Sequence, residues 1–443
     1  MVENTLLLSP IQFEEDTIFS PDAFTGSILA VEGIRDAAVI LNGPTGCKLY
    51  HSFLSDRQFP RESSHDPLAF QDEFYFGQPR IPCTCLDGED YIRGSLEKFE
   101  RALAAIAAKE KGLLMVINSP GASLVGDDLE SVIKKAGMQD RCFVVENPGF
   151  SLPAAQGFEN VALALLEHLK IQSSHCPGSP KKVNLIGLSL LHKYWEGSVA
   201  EMKRLLAFLG LEVGAIFLAG TSLEEIRESG DAACNIVLFP EYGRRIAEWY
   251  KERFGTPAVF SSLGAPIGFD ATESLLREVA AVLNIDPTPA LAEVRKARQA
   301  SYRQISRFHS FSGLPKGASF SIRAESSLAF PLTHWLYSYL GMAPLAVKLL
   351  PGSDPEAAES LRAFLEAKGF CEVWDRDPSL ESADIAFANG PTLQLLKAKG
   401  CCKAGIEITL PEEGYIHFIP KTYLGVSGAL LLLEEIINGL RST

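Results

Sequence analysis

Short apolar runs rich in Val, Ile and Leu alternate with longer amphipathic segments along this 443-residue chain, and that alternation constrains the fold more than any other feature. AAVILNGP, residues 37–44, reads as a buried strand ended by a Gly-Pro turn. SLEKFERALAAIAAKEKG, 95–112, spaces its apolar residues as a helix does, with Gly112 as the stop. LLMVINSPG, 113–121, is a second strand with a turn at its end. DLESVIKKAG is a helix and CFVVENPGF a third strand. A βαβαβ order of this kind predicts a parallel sheet covered on both faces.

The pattern repeats after QSSHCPGSPKK, 172–182, a polar stretch of linker character. VNLIGLS, VGAIFLAG, CNIVLFP and PAVFSS read as strands separated by helices, and this second unit ends near Gly264. Residues 271–306 are helical and charged, a connector between domains. ASFSIRAE, APLAVKLLPG, CEVWDRD and ADIAFANG then supply strands of a third unit, and TYLGVSGALLLLEEIINGLRS a closing helix. The expected fold is α/β: three doubly wound, Rossmann-like domains with parallel sheets. Their spans are 1–172, 173–270 and 311–443, with the helical connector at 271–310. Each sheet offers a ligand crevice at the carboxyl ends of its strands.

A formal charge of −14 argues against nucleic acid or an anionic membrane surface as partner, since both reward basic proteins. The longest apolar runs, LLMVIN and ALLLL, fall far short of the ~18 residues of a membrane span. The opening MVENTLLLSPIQFEED lacks a basic segment and turns acidic, so no signal peptide and a cytoplasmic location are expected. NLIGLS, 184–189, is a βα turn without G-x-G-x-x-G or a Walker motif, so the chain is not expected to bind nucleotide itself.

Nine cysteines make a disulfide framework a poor expectation for a long intracellular chain. Cys142, Cys234 and Cys371 read as buried thiols; Cys401 and Cys402 as loop or strand-start residues; Cys176 has no assigned role. Cys47, Cys83 and Cys85 differ. Cys47 follows the tight turn GPTG, the other two lie one residue apart in PCTCLDGEDYIRG, and all fall on the loop side of the first sheet, as does the Ser119-Pro120-Gly121 turn. Thiolates among Gly and Pro suit a soft metal or an iron–sulfur cluster, although the spacing is that of neither a zinc ribbon nor a ferredoxin.

Taken in order, several stretches resemble the nitrogenase component 1 family. That family holds the molybdenum–iron protein subunits, their cofactor-assembly paralogues and the dark-operative protochlorophyllide reductases. DAFTGSILAVEGIRDAAVILNGPTGC, 22–47, is similar to the family's opening cysteine, helix and Gly-Pro-x-Gly-Cys turn. CTCLDGEDYIRGSLEKFERAL, VINSPGASLVGDDLESV and YLGVSGALLLLEEIINGL fit later family segments. The resemblance implies an oxidoreductase subunit. It implies an iron–sulfur cluster, [4Fe-4S] or larger and P-cluster-like, at an interface with a second component 1-like subunit. It also implies an ATP-dependent iron protein as electron donor.

Cys47 keeps the middle of the family's three cluster cysteines, while Asp22 and Ser119 stand where the other two would be. Cys83 and Cys85 occur where the family has serine and aspartate. The resemblance therefore implies Cys47, Cys83 and Cys85 as ligands, with Asp22 and Ser119 as oxygen-bearing second choices. The plainer alternatives are packing for the two later cysteines and a helix N-cap for Asp22. Phe239 occupies the place of the cysteine that anchors the family's larger cofactor, and His417 lies near that of its histidine, so dinitrogen reduction is not expected. His51, Arg57, Arg61 and Arg93 flank the cysteine loops and could donate protons or bind an anionic substrate group; the preferred reading is surface or interface charge. Two alternatives accompany the reductase reading: a scaffold for metallocluster assembly, and a structural subunit that has lost its cluster.

Overall fold

The computed structural model describes residues 21–58, 81–146, 152–173, 182–412 and 417–441. Cys176, Arg61 and the side chain of Arg57 lie outside them. Three parallel sheets organise the chain. The first has the order β1 (Ala37–Asn42), β2 (Leu113–Asn118), β3 (Cys142–Val145). β4 (Lys182–Ile186), β5 (Glu212–Ile216), β6 (Asn235–Val237) and β7 (Ala258–Phe260) form the second, ordered β5-β4-β6-β7. β8 (Ser319–Ala324), β9 (Ala343–Leu349), β10 (Ala383–Ala388) and β11 (Cys402–Glu407) form the third, ordered β11-β10-β8-β9.

Strand β2 shows why an unbroken apolar run folds this way. All six residues are buried, and side chains alternate across the sheet. Leu113, Met115 and Ile117 enter one core, Leu114 and Val116 the other. The connector forms two helices, Gly268–Leu283 and Thr288–Ser312, broken where Asn284 turns left-handed. CEVWDRD is not a strand: Cys371–Val373 is a single 3-10 turn, and Trp374 makes one isolated bridge to Val347. Asp375 has φ +55°, which ends any extension, and only Val373 of that turn is buried. Cys371 is exposed, not buried, for the same reason, whereas Cys142 and Cys234 are buried as expected.

Close crossings and helix caps lock the units together. The helix Ala23–Glu32 is buried along its whole length against the helix Ala154–Leu169. A Cβ on Gly26 would lie 2.0 Å from the Ala154 carbonyl oxygen, and one on Gly157 would lie 1.9 Å from that of Ala23, so no larger residue fits either place. Glu241, after β6, accepts from Ser326 Oγ at 2.9 Å, Ser327 N at 2.9 Å, Asp354 N at 3.2 Å and Ser327 Oγ. It thereby caps the helix Ser326–Ser338 of the third unit. Glu201 caps the final helix, Gly425–Arg441, by accepting from Val426 N at 2.9 Å and Ser427 N at 3.0 Å.

Candidate functional site

β1 ends at Asn42, and Gly43-Pro44 turns the chain into the helix Thr45–Gln58, whose first turn carries Cys47. Alongside β1 runs the segment 82–86. Leu41 N donates to Pro82 O at 3.0 Å, Thr84 N to Leu41 O at 3.0 Å and Leu86 N to Gly43 O at 2.8 Å. That pairing sets Cys83 beside the turn, its Sγ donating to Gly43 O at 3.3 Å. Cys85 N donates to Cys83 Sγ at 3.2 Å, with Cys85 held at φ +54°. Beneath the thiols, Thr84 Oγ1 donates to Asn42 Oδ1 at 2.9 Å, and Asn42 Nδ2 to Asn118 Oδ1 at 2.8 Å. This polar seam ties three strand ends into one floor.

Ser119 is buried and caps the helix Pro120–Val125, its Oγ accepting from Ala122 N at 3.3 Å. A Cβ on Gly43 would stand 2.7 Å from Ser119 Oγ, which fixes glycine there. Asp22 is the N-cap of the helix Ala23–Glu32, accepting from Thr25 N at 2.9 Å and Thr25 Oγ1 at 2.8 Å. Its charge reaches Cys47: burial pushes that thiol's pKa up, and Asp22 pushes it further. Burial likewise raises Cys83, to about 12, against a smaller opposing pull from the Cys85 N–H and a weaker one from Lys48. The structure thus brings the five expected residues to one corner of the first sheet, with Cys47, Cys83 and Cys85 all half-buried.

Two further side chains join that corner. Tyr91 hydrogen-bonds Ser119 and senses Cys47 and Cys83; burial first, then those sulfurs, raise its pKa. It lies inside the same CTCLDGEDYIRG stretch as the thiols, and that nearness was the available signal. His51 is not surface charge. It is 9% exposed, its Nδ1 lies 2.7 Å from Thr25 Oγ1, and burial holds its pKa below the usual histidine range. Because Thr25 Oγ1 donates to Asp22, His51 Nδ1 is the donor to Thr25. One turn separates His51 from Cys47 on their helix, which puts both on the same face. Arg93 does lie at the surface, paired with Glu89 at 3.0 Å.

A cavity of ≈ 240 Å³ opens where the three units meet, at the carboxyl ends of β4, β6, β8, β9 and β11. Asp22 and Leu152–Ala154 close it from the first unit. Phe239 lines it, stacked on His192 with ring centroids 3.8 Å apart. Burial pushes the His192 pKa down to about 3, and Nδ1 accepts from Ser189 N at 2.9 Å. Glu325, also in the wall, accepts from Tyr242 OH at 2.8 Å; burial and then the Glu241 charge raise its pKa to about 8. Among the described residues no cysteine lines this cavity, and His417 sits away from it, between Glu412 at 3.1 Å and the Tyr194 ring. A metallocofactor anchored by cysteine and histidine does not fit this wall.

The architecture and the matched sequence define the class: this chain belongs to the nitrogenase component 1 type oxidoreductase family, whose profile matches residues 23–441. Among curated relatives it is similar to a subunit of the light-independent protochlorophyllide reductase of Rhodospirillum rubrum, 28% identical over 227 residues, 49% of this chain and 41% of that protein. The same subunit from Synechococcus sp. (strain JA-3-3Ab) is 23% identical over 296 residues, 64% of this chain and 54% of that protein. The chain therefore spans about half the length of the curated relatives it matches, or less. In fold it is similar to nitrogenase Cp1, with a TM-score of 0.74, 16% identity, and coverage of 94% of this chain and 91% of that one.

Proposed function

We propose that this chain is one subunit of a nitrogenase-like reductase, with Cys47, Cys83 and Cys85 as ligands of an iron–sulfur cluster, [4Fe-4S] or larger. The observation that carries the reading is the position of Asp22, which both senses Cys47 and walls the interdomain cavity. Asp22 would then stand between a cluster held at the thiol corner and a substrate in the cavity. Bound there, the cluster would store and release single electrons, and a separate ATP-dependent iron protein would supply them.

Two features support this ligand set. The thiols are half-buried. Cys83 already accepts an N–H, the kind of contact that tunes a cluster's potential. Among the described residues no three His, Cys, Asp or Glu side chains are gathered so as to hold a metal ion, so a cluster would have to draw these thiols together. Asp22 and Ser119 stand second because each spends oxygens on a helix cap.

The corner also fits a second component 1-like subunit. The helices Gly88–Arg93 and Pro120–Val125 adjoin beside the thiols, and they expose Ile92 at 86% and Leu124 at 90%. Among the described residues no helix is long and apolar enough to cross a membrane, and we place the complex in the cytoplasm.

Oxygen-free purification with iron, sulfide and EPR measurement tests the reading. Wild-type protein should be coloured and carry iron. Cys47→Ala, Cys83→Ala and Cys85→Ala should each lose most of it. Full iron in all three variants would remove the ligand assignment, and a colourless wild type would leave a structural subunit without a cluster.

A further inference from the structure

Glu325 is enclosed by protein yet only partly covered, because one side faces the interdomain cavity. Its Oε1 accepts from Tyr242 OH, and its other oxygen makes no hydrogen bond to a described residue. A neighbouring carboxylate, Glu241, already holds four donors. Two close buried carboxyls without a cation between them cannot both ionise. Burial and then the Glu241 charge raise the Glu325 pKa to about 8, so Glu325 holds the proton and its second oxygen can donate to an occupant of the cavity it borders.

The rest of the wall selects for a neutral occupant. Leu188, Leu191, Phe239, Ile267, Leu328 and Leu350 make most of it apolar. Lys193, the cation in the wall, is engaged by Glu407 at 3.3 Å and Glu412 at 3.4 Å, so it has little charge to offer an anion. Asp22, the wall's remaining carboxylate, turns its Oδ1 to the backbone and hydroxyl of Thr25. A cavity of about 150 Å³ accepts benzene in a protein core. This one, at ≈ 240 Å³, has room for a ring with a substituent.

We infer that the interdomain cavity binds one compact, uncharged, mostly apolar molecule bearing a carbonyl or similar hydrogen-bond acceptor, and that Glu325 donates the hydrogen bond that orients it. A neutral carboxylic acid in an apolar site is a strong donor of this kind. The inference concerns binding alone and stands whether or not a cluster occupies the thiol corner.

Acetophenone labelled at the carbonyl carbon is a suitable probe, added to the full chain without any iron protein and followed by calorimetry and infrared spectroscopy. It should saturate at one equivalent, with its carbonyl stretch moved to lower frequency than in an apolar solvent. Glu325→Gln, which keeps a donor, should retain binding with a smaller shift. Glu325→Met should bind about three- to tenfold more weakly and lose the shift. Leu191→Trp, which fills the space, should abolish binding while circular dichroism stays unchanged. Benzoate and phenethylamine, close in size but charged, should not bind at the same concentrations. No saturable binding to wild type, equal binding of either charged analogue, or an identical carbonyl frequency in wild type and Glu325→Met would each overturn the inference. If Glu325→Met does not fold, Glu325→Gln and Leu191→Trp decide it. None of these readouts involves electron transfer, so their failure leaves the reductase reading untouched.

Discussion

The thiol corner and the interdomain cavity adjoin at Asp22, yet they are built by opposite means. At the corner, backbone turns present half-buried sulfur outward: a Gly-Pro turn sets Cys47, and a segment paired to β1 sets Cys83 and Cys85. In the cavity, side chains from three units converge inward, and burial keeps two of them, His192 and Glu325, in their neutral forms. The corner depends on local geometry within a single sheet, so neighbouring sequence determines it. The cavity depends on docking between units, held by carboxylates such as Glu241 that reach across to a helix start. The first arrangement suits a group shared with another chain, the second a molecule enclosed by this one.

The largest break of that contrast should come from Glu241→Ala. It leaves the Ser326, Ser327 and Asp354 donors without their acceptor at a buried junction, and a loss of about 3 kcal/mol or more is expected in chemical denaturation. Acetophenone binding should fall with it, while iron content at the corner holds.

Gly43→Ala should do the reverse. Its Cβ meets Ser119 Oγ at 2.7 Å, so a cost of about 1–3 kcal/mol and disturbed iron retention are expected, with Ser119→Gly restoring much of both. Full stability in Gly43→Ala alone would show that the corner is looser than the turn geometry requires.

The finest distinction is in pH. Glu325 holds its proton up to about pH 8 when folded, whereas an ordinary glutamate loses it near 4.5, so the folded state binds the extra proton between those limits. Stability from this group is complete below the lower limit and falls as pH rises through the window, by roughly 1.4 kcal/mol for each pH unit at most. Glu325→Gln should remove that fall. His192, with a folded pKa of about 3, works in the opposite sense, its share being lost as pH drops from 6.5. Denaturation midpoints of wild type and Glu325→Gln across this range would separate the two groups.

The parallel sheets were readable because an unalternating run such as LLMVIN can satisfy both of its faces only between two helix layers. The meeting of Asp22, Cys47, Cys83, Cys85 and Ser119 was readable from the loop side of one sheet together with the family resemblance. Tyr91 could have been added from its place in the same stretch. His51 was misread because a polar residue on a short helix gives no sign that Phe24 and Thr25, some 26 positions earlier, will cover it. CEVWDRD misled through Cys371, Val373 and Trp374, which look like a strand until Asp375 turns left-handed. Nothing local to Glu325 marks it as a neutral acid. Its state depends on Glu241 and Tyr242, more than 80 residues away in sequence, and on the enclosure that three units create together.

The final helix carries a consequence for how the molecule is made. Glu201 sits in the second unit but finds its backbone donors only at Val426 and Ser427, more than 220 positions further along. On a ribosome, the segment up to residue 424 must therefore emerge with this carboxylate held only by Arg204, at 2.8 and 2.9 Å, and with one flank of the helix Trp195–Ala207 bare. Completion of the second unit is deferred until the helix Gly425–Arg441 has been synthesised, and a nascent chain stalled before Gly425 leaves that flank open to proteases and chaperones.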